Sequence, residues 1–139
     1  MILIINICQE PLHYLEFVKP IEDILRNNKI DYLVKHYLSI IEANIKNADK
    51  IIICGTSLAD NQFIKDIDYF KFILTFNKPI LGICGGAHIT GLLLGHELKK
   101  NKEIGLKEID VKEEFLGMKG KKQVYFLHQF YSLPKIFYK

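Results

Sequence analysis

At 139 residues and a formal charge of +3, the chain has room for one domain able to bury roughly 68% of its unfolded surface in a single core, which excludes a two-domain enzyme. Hydrophobic residues make up 49% and charged residues 25%, with 9 glycines and 4 prolines, the balance of a folded globule and not of a disordered, collagen-like or disulfide-scaffold chain. No apolar run approaches the ~18 to 20 residues that span a bilayer, and Met1 to Ile5 carries neither a basic leader nor a small-residue cleavage site, so no membrane is expected and the expected location is the cytoplasm.

The charge is uneven: residues 1–94 hold 9 basic and 10 acidic groups, residues 95–139 hold 10 and 6. Lys99, Lys100, Lys102, Lys119, Lys121 and Lys122 supply much of that excess. Only one arginine, Arg26, is present, and arginine is the better fork for phosphate, so a solvated lysine face is expected and no nucleic acid. Cys8, Cys54 and Cys84 are odd in number and contain no CxxC pair, which suits reduced thiols.

In chain order, Ile2 to Ile7 is a β-branched run without alternation, expected as a strand covered on both faces. Apolar residues at Phe17, Ile21, Ile24 and Leu25 predict a helix over 16–28, started or kinked by Pro20. Tyr32 to Val34 reads as a second strand, followed by a short helix capped by Ser39. Ile51 to Cys54 is the third strand. The small-residue loop from Gly55 to Ala59 precedes an expected long helix through Phe76, capped by Asp60 or Asn61 and carrying Phe63, Ile64, Ile67, Phe70, Ile73 and Leu74 as core. Lys78-Pro79 then opens a fourth strand, Ile80 to Ile83, which runs into Cys84 and a helical segment to Leu94. Strands alternating with helices predict a parallel, doubly wound α/β sheet. After Gly95 the pattern alternates, predicting short antiparallel strands over 104–111 and 123–127.

The most informative residues are Gly82-Ile83-Cys84-Gly85-Gly86, a cysteine between strand and helix with glycines around it. That is the pattern of a nucleophile elbow, a turn so sharp that side chains at the flanking positions would collide. A cysteine at a helix N-terminus is expected to have a depressed pKa, since the peptide dipoles favour thiolate. The Gly85 N–H is a natural oxyanion donor. In a parallel sheet the carboxyl ends of the strands line the site, so the Gly55-Thr56 loop is expected beside Cys84, offering further N–H groups. Two other readings compete. Cys84 is then only a small hydrophobe at a close-packed turn, or the three cysteines, each at a strand end, converge with His88 or His13 on a soft metal. The second is the weaker signal, and no metal and no cofactor are expected.

At this point the sequence resembles the class I, or triad-type, glutamine amidotransferases, among them the amidotransferase subunit of archaeal GMP synthetase. Lys78 to Gly95 is similar to the family's KP-(apolar)-G-(I/V)-C-x-G-x-Q signature, Ile51 to Thr56 to its strand and oxyanion glycine loop, and His128 through Ser132-Leu133-Pro134-Lys135-Ile136-Phe137 to the segment before its last strands. The resemblance implies a flavodoxin-like parallel sheet flanked by helices, with strand order 2-1-3-4. It also implies that Cys84 attacks the side-chain amide of glutamine, forms a glutamyl thioester and releases ammonia for a partner synthetase. Gly55, Thr56, Gly85 and His88 then fall at the oxyanion hole and substrate site.

Two departures accompany the resemblance. His88 stands where the family has glutamine. The family's base histidine and orienting glutamate belong to a motif expected beyond Lys139, and no residue here matches either, so the chain reads as a single domain lacking the usual C-terminal strand and helix. Neither His128 nor His88 carries the motif of a replacement base, which alone is worth typically 10²- to 10⁴-fold. The alternative is a non-catalytic binding or regulatory protein with a redox-sensitive thiol. Apolar surface is expected near Phe126, Phe130, Tyr131, Ile136, Phe137 and Tyr138, and with it a partner, either a second copy in a homodimer or a synthetase-type subunit.

Overall fold

The computed structural model describes residues 1–133 and divides into two compact units, one of residues 1–98 rejoined from Ser132, the other of residues 99–131. Ile136, Phe137, Tyr138 and the Pro134-Lys135 segment lie outside the described residues.

In the first unit, strands β1 (Ile2–Asn6), β2 (Tyr32–His36), β3 (Lys50–Ile53) and β4 (Ile80–Gly82) form one sheet in the order β2-β1-β3-β4. All three pairings are parallel, with Ile4 opposite both Val34 and Ile52, and Ile52 opposite Leu81. This is the flavodoxin-like α/β sheet flanked by helices. The missing alternation in β1 has its cause in cover on both faces. Leu3, Ile5 and Ile7 pack with Ile51, Ile53, Phe63, Phe70 and Ile89 on one side, while Ile4 packs with Val18, Leu25, Cys8 and Cys54 on the other.

Several element boundaries depart from the sequence expectation. The helix expected over 16–28 is α2 (Lys19–Asn27), with Pro20 in its first turn, where the missing N–H has no intrahelical partner to lose. A separate helix, α1 (Pro11–Phe17), precedes it. Ser39 caps nothing: it ends a 3-10 turn, and α3 (Glu42–Lys46) starts after Ile41, whose N–H donates to the Asn44 side chain at 3.0 Å. The long helix to Phe76 is instead α4 (Gln62–Lys65) followed by a 3-10 segment, Ile67–Leu74. The junction residue Asp66 accepts the hydroxyl of buried Tyr37 at 2.6 Å, and three residues per turn set Phe70 and Ile73 on one side, both buried. Helix α5 (Gly85–Leu93) follows β4. Among the described residues, no helix is long and apolar enough to cross a membrane.

The second unit comes from the long strands β5 (Glu97–Phe115) and β6 (Met118–Leu133), an antiparallel pair considerably longer than the short strands expected. The connecting residues Leu116 and Gly117 have φ of 51° and 76°, the left-handed pair that suits the twist of a tight hairpin. Lys121 bridges to Glu108 at 3.0 Å and His128 Nε2 to Glu103 at 3.3 Å. Phe126, Phe130 and Tyr131 are half-buried, whereas the exposed apolar residues of this unit include Ile104, Leu106, Tyr125 and Leu127.

Candidate active site

Cys84 sits between β4 and α5 with φ 50° and ψ −108°, a backbone conformation that L residues rarely hold unless the surroundings enforce it. The enforcement is visible. Ile83 N–H donates to the Ile53 carbonyl at 2.9 Å, Gly86 N–H to Ile83 at 2.9 Å, and His88 N–H to the Cys84 carbonyl at 3.1 Å. A Cβ on Gly82 would lie 2.5 Å from the Gly86 carbonyl oxygen, and one on Gly86 would lie 2.2 Å from that of Ile53. Strand and helix approach so closely that both positions must lack a side chain.

The loop after β3 lies against this turn. A Cβ on Gly55 would come 3.2 Å from the Cys84 Cβ, with the Phe17 ring 3.6 Å away on another side. Thr56, 5% exposed, donates its hydroxyl to Asp60 at 2.8 Å. Asp60 also accepts the Gln9 N–H at 2.8 Å, and the Cys8 thiol donates to the Gly55 carbonyl at 3.6 Å. Of the two cap candidates, Asn61 holds the cap position, without a side-chain cap hydrogen bond, and the Asp60 carboxylate ties two loops together.

The structure therefore brings together Cys84, Gly85 and Gly55, with Thr56 next in the same loop. His88 stands one turn into α5, its N–H on the Cys84 carbonyl. The Thr56 side chain is committed to Asp60. His128 bonds Glu103 within the second unit, and Lys107, with His128 contributing, holds the Glu103 carboxyl below the usual range. Sequence reasoning named Cys8 as a strand-end thiol and Asp60 as a candidate cap, and missed that both tie the Gly55-Thr56 loop to the segment after β1. Thr56 and Asp60 stand four residues apart on one loop, a spacing that carries no information until the loop's path is known.

The thiol electrostatics correct one expectation. Cys84 reaches solvent as a residue, yet desolvation by the surrounding protein pushes its pKa up, and only a hydrogen bond from the Gly85 N–H draws it down. The dipole argument for a depressed pKa is outweighed. Cys8 is likewise raised by burial, opposed by the Thr56 hydroxyl and reinforced by the Asp60 and Glu16 charges. Burial raises Cys54 to about 12. Among the described residues no three metal-ligating side chains come together, which removes the convergent-thiol metal site.

Residues 13–137 match the family model described as "Glutamine amidotransferase class-I". No curated protein matches the chain. Among solved structures, the fold is similar to that of a protein described as a GMP synthase subunit from Thermoplasma acidophilum, with 21% identity, a TM-score of 0.77 and coverage of 96% of this chain and 68% of that one. A glutamine amidotransferase from Thermotoga maritima matches with 20% identity and TM-score 0.68 over 96% of this chain and 63% of that one. One from Methylobacillus flagellatus matches with 18% identity and TM-score 0.65 over 95% of this chain and 56% of that one. The chain thus spans 56 to 68% of the length of these three.

Proposed function

This chain belongs to the class I glutamine amidotransferase family, and from that premise we propose that Cys84 is the nucleophile of a glutamine-hydrolysing site. Its sulfur attacks the side-chain amide carbon, the carbonyl oxygen becomes an oxyanion, and the C–N bond then breaks to leave a glutamyl thioester. The proton of the Cys84 thiol leaves with the nitrogen as ammonia. Water cleaves the thioester to glutamate and returns the thiol. The N–H groups of Gly55 and Gly85 are the proposed oxyanion donors, with His88 beside the bound glutamine. The proposed partner is either a synthetase-type subunit, which would receive the ammonia, or a second copy of this chain.

The single observation that carries this reading is the Cys84 turn: a strained left-handed cysteine at a glycine elbow with Gly55 directly against it. Strain of this kind costs on the order of 1–3 kcal/mol and persists at sites that use it.

One observation favours the second reading, a non-catalytic glutamine-binding or regulatory protein. Burial raises the Cys84 pKa above the ordinary thiol value, which lowers the thiolate fraction that a nucleophile needs. A redox-sensitive thiol gains nothing from this, since oxidation follows thiolate character.

Intact-mass analysis after treatment with a chloroketone analogue of glutamine tests the proposal. A single adduct, blocked by glutamine and lost in Cys84→Ala, is expected. Absence of that adduct while Cys84 still reacts with iodoacetamide would overturn the catalytic reading in favour of the regulatory one.

A further inference from the structure

We infer that Asp60 is a positioning residue, whose carboxylate latches the Gly55-Thr56 loop to the segment after β1 and so holds the Gly55 N–H at Cys84. This deepens the glutamine-hydrolysis reading and rests on it. Asp60 Oδ2 accepts two hydrogen bonds of 2.8 Å, one from the Thr56 hydroxyl inside its own loop and one from the Gln9 N–H across the carboxyl end of β1. A third tie, from the Cys8 thiol to the Gly55 carbonyl at 3.6 Å, joins the same two segments. Asp60 N–H bonds back to the Ser57 carbonyl at 3.0 Å, so the loop from 56 to 60 closes on its own carboxylate.

A carboxylate oxygen has the lone pairs to accept both donors at once. Thr56 is nearly fully buried, and a buried hydroxyl without a partner bears its whole desolvation cost. With Asp60 present, both donors are satisfied, and the Gly55-Thr56 loop is tied to the segment after β1. That tie matters because Gly55 has so little room at Cys84, and an oxyanion donor acts only within hydrogen-bond reach of the developing charge. Asp60 does not itself need to touch substrate.

The test compares wild type with Asp60→Ala, Asp60→Asn, Thr56→Val and Thr56→Ser, using the full chain. The readouts are the saturation kinetics of Cys84 labelling by the chloroketone glutamine analogue, whose ketone oxygen takes the oxyanion position, and the rate with iodoacetamide, which needs no oxyanion site. Asp60→Ala and Thr56→Val are expected to lower the maximal labelling rate by about 10- to 100-fold, the range that misplacement by a fraction of an ångström to 1 Å produces. For Asp60→Ala the half-saturating concentration and the iodoacetamide rate are expected to hold. Asp60→Asn and Thr56→Ser, which keep acceptor and hydroxyl, are expected to restore most of the rate.

An unlabelled wild type would sink the glutamine-hydrolysis reading itself. A labelled wild type with Asp60→Ala and Thr56→Val equally fast would overturn the latch alone. Equal slowing with both reagents would overturn it too, by placing the effect on the thiol and not on the loop.

Discussion

A Cβ on Gly86 would sit 2.2 Å from the carbonyl oxygen of Ile53, so the first turn of α5 rests directly on the backbone end of β3. That contact is between two main chains, neither of which can swing aside as a flexible side chain can. Gly86→Ala is therefore expected to destabilise the fold by more than the ~1–3 kcal/mol of ordinary overpacking and to displace Cys84. Denaturant midpoints and chloroketone labelling measured on the same preparation check both effects.

The raised pKa of Cys84 makes a prediction about pH. Thiolate is the reactive form, so below the pKa each pH unit changes its fraction by about tenfold. Alkylation of Cys84 by iodoacetamide should climb steadily from neutral to alkaline pH, with no plateau near neutrality. A flat profile between pH 6 and pH 8 (roughly the span in which activated thiolates are already formed) would contradict the desolvated thiol.

Cys54 gives a stability prediction of definite sign. Its pKa is raised by burial from 9.0 to about 12, so the native state keeps a proton that the unfolded chain releases. The contribution is complete below the unfolded value and is lost as pH rises towards the folded one. At one pKa unit per 1.36 kcal/mol the loss is on the order of 4 kcal/mol. Cys54→Ala is expected to be somewhat less stable at pH 7, through the small cavity, but to lose less stability between pH 9 and pH 12, limits taken from the two pKa values. Urea titrations across that interval measure the difference in slope.

Phe70 is fully buried and stacks on Tyr37 with ring centroids 5.2 Å apart. Phe70→Ala is expected to cost about 3–5 kcal/mol. A cost below ~1 kcal/mol in chemical denaturation would mean that the 3-10 segment does not carry core packing.

The amino-acid sequence by itself determined the parallel sheet and the glycine elbow. Each rests on local chemistry: β-branched runs such as Ile2 to Ile5 and Ile51 to Ile53 have few alternatives to a strand covered on both faces, and a cysteine between Gly82 and Gly86 at a strand-helix junction leaves few backbone solutions. Tertiary structure decided the rest. The amphipathic run from Gln62 to Leu74 has helical spacing, yet Asp66 is drawn to the Tyr37 hydroxyl, 29 residues away in sequence, and the helix breaks there. Asp60 has the composition of a cap, but its partner is the Gln9 N–H, 51 residues away. The Cys84 pKa turns on how much protein surrounds the sulfur, a quantity that does not exist until strand, helix and loop have closed around it.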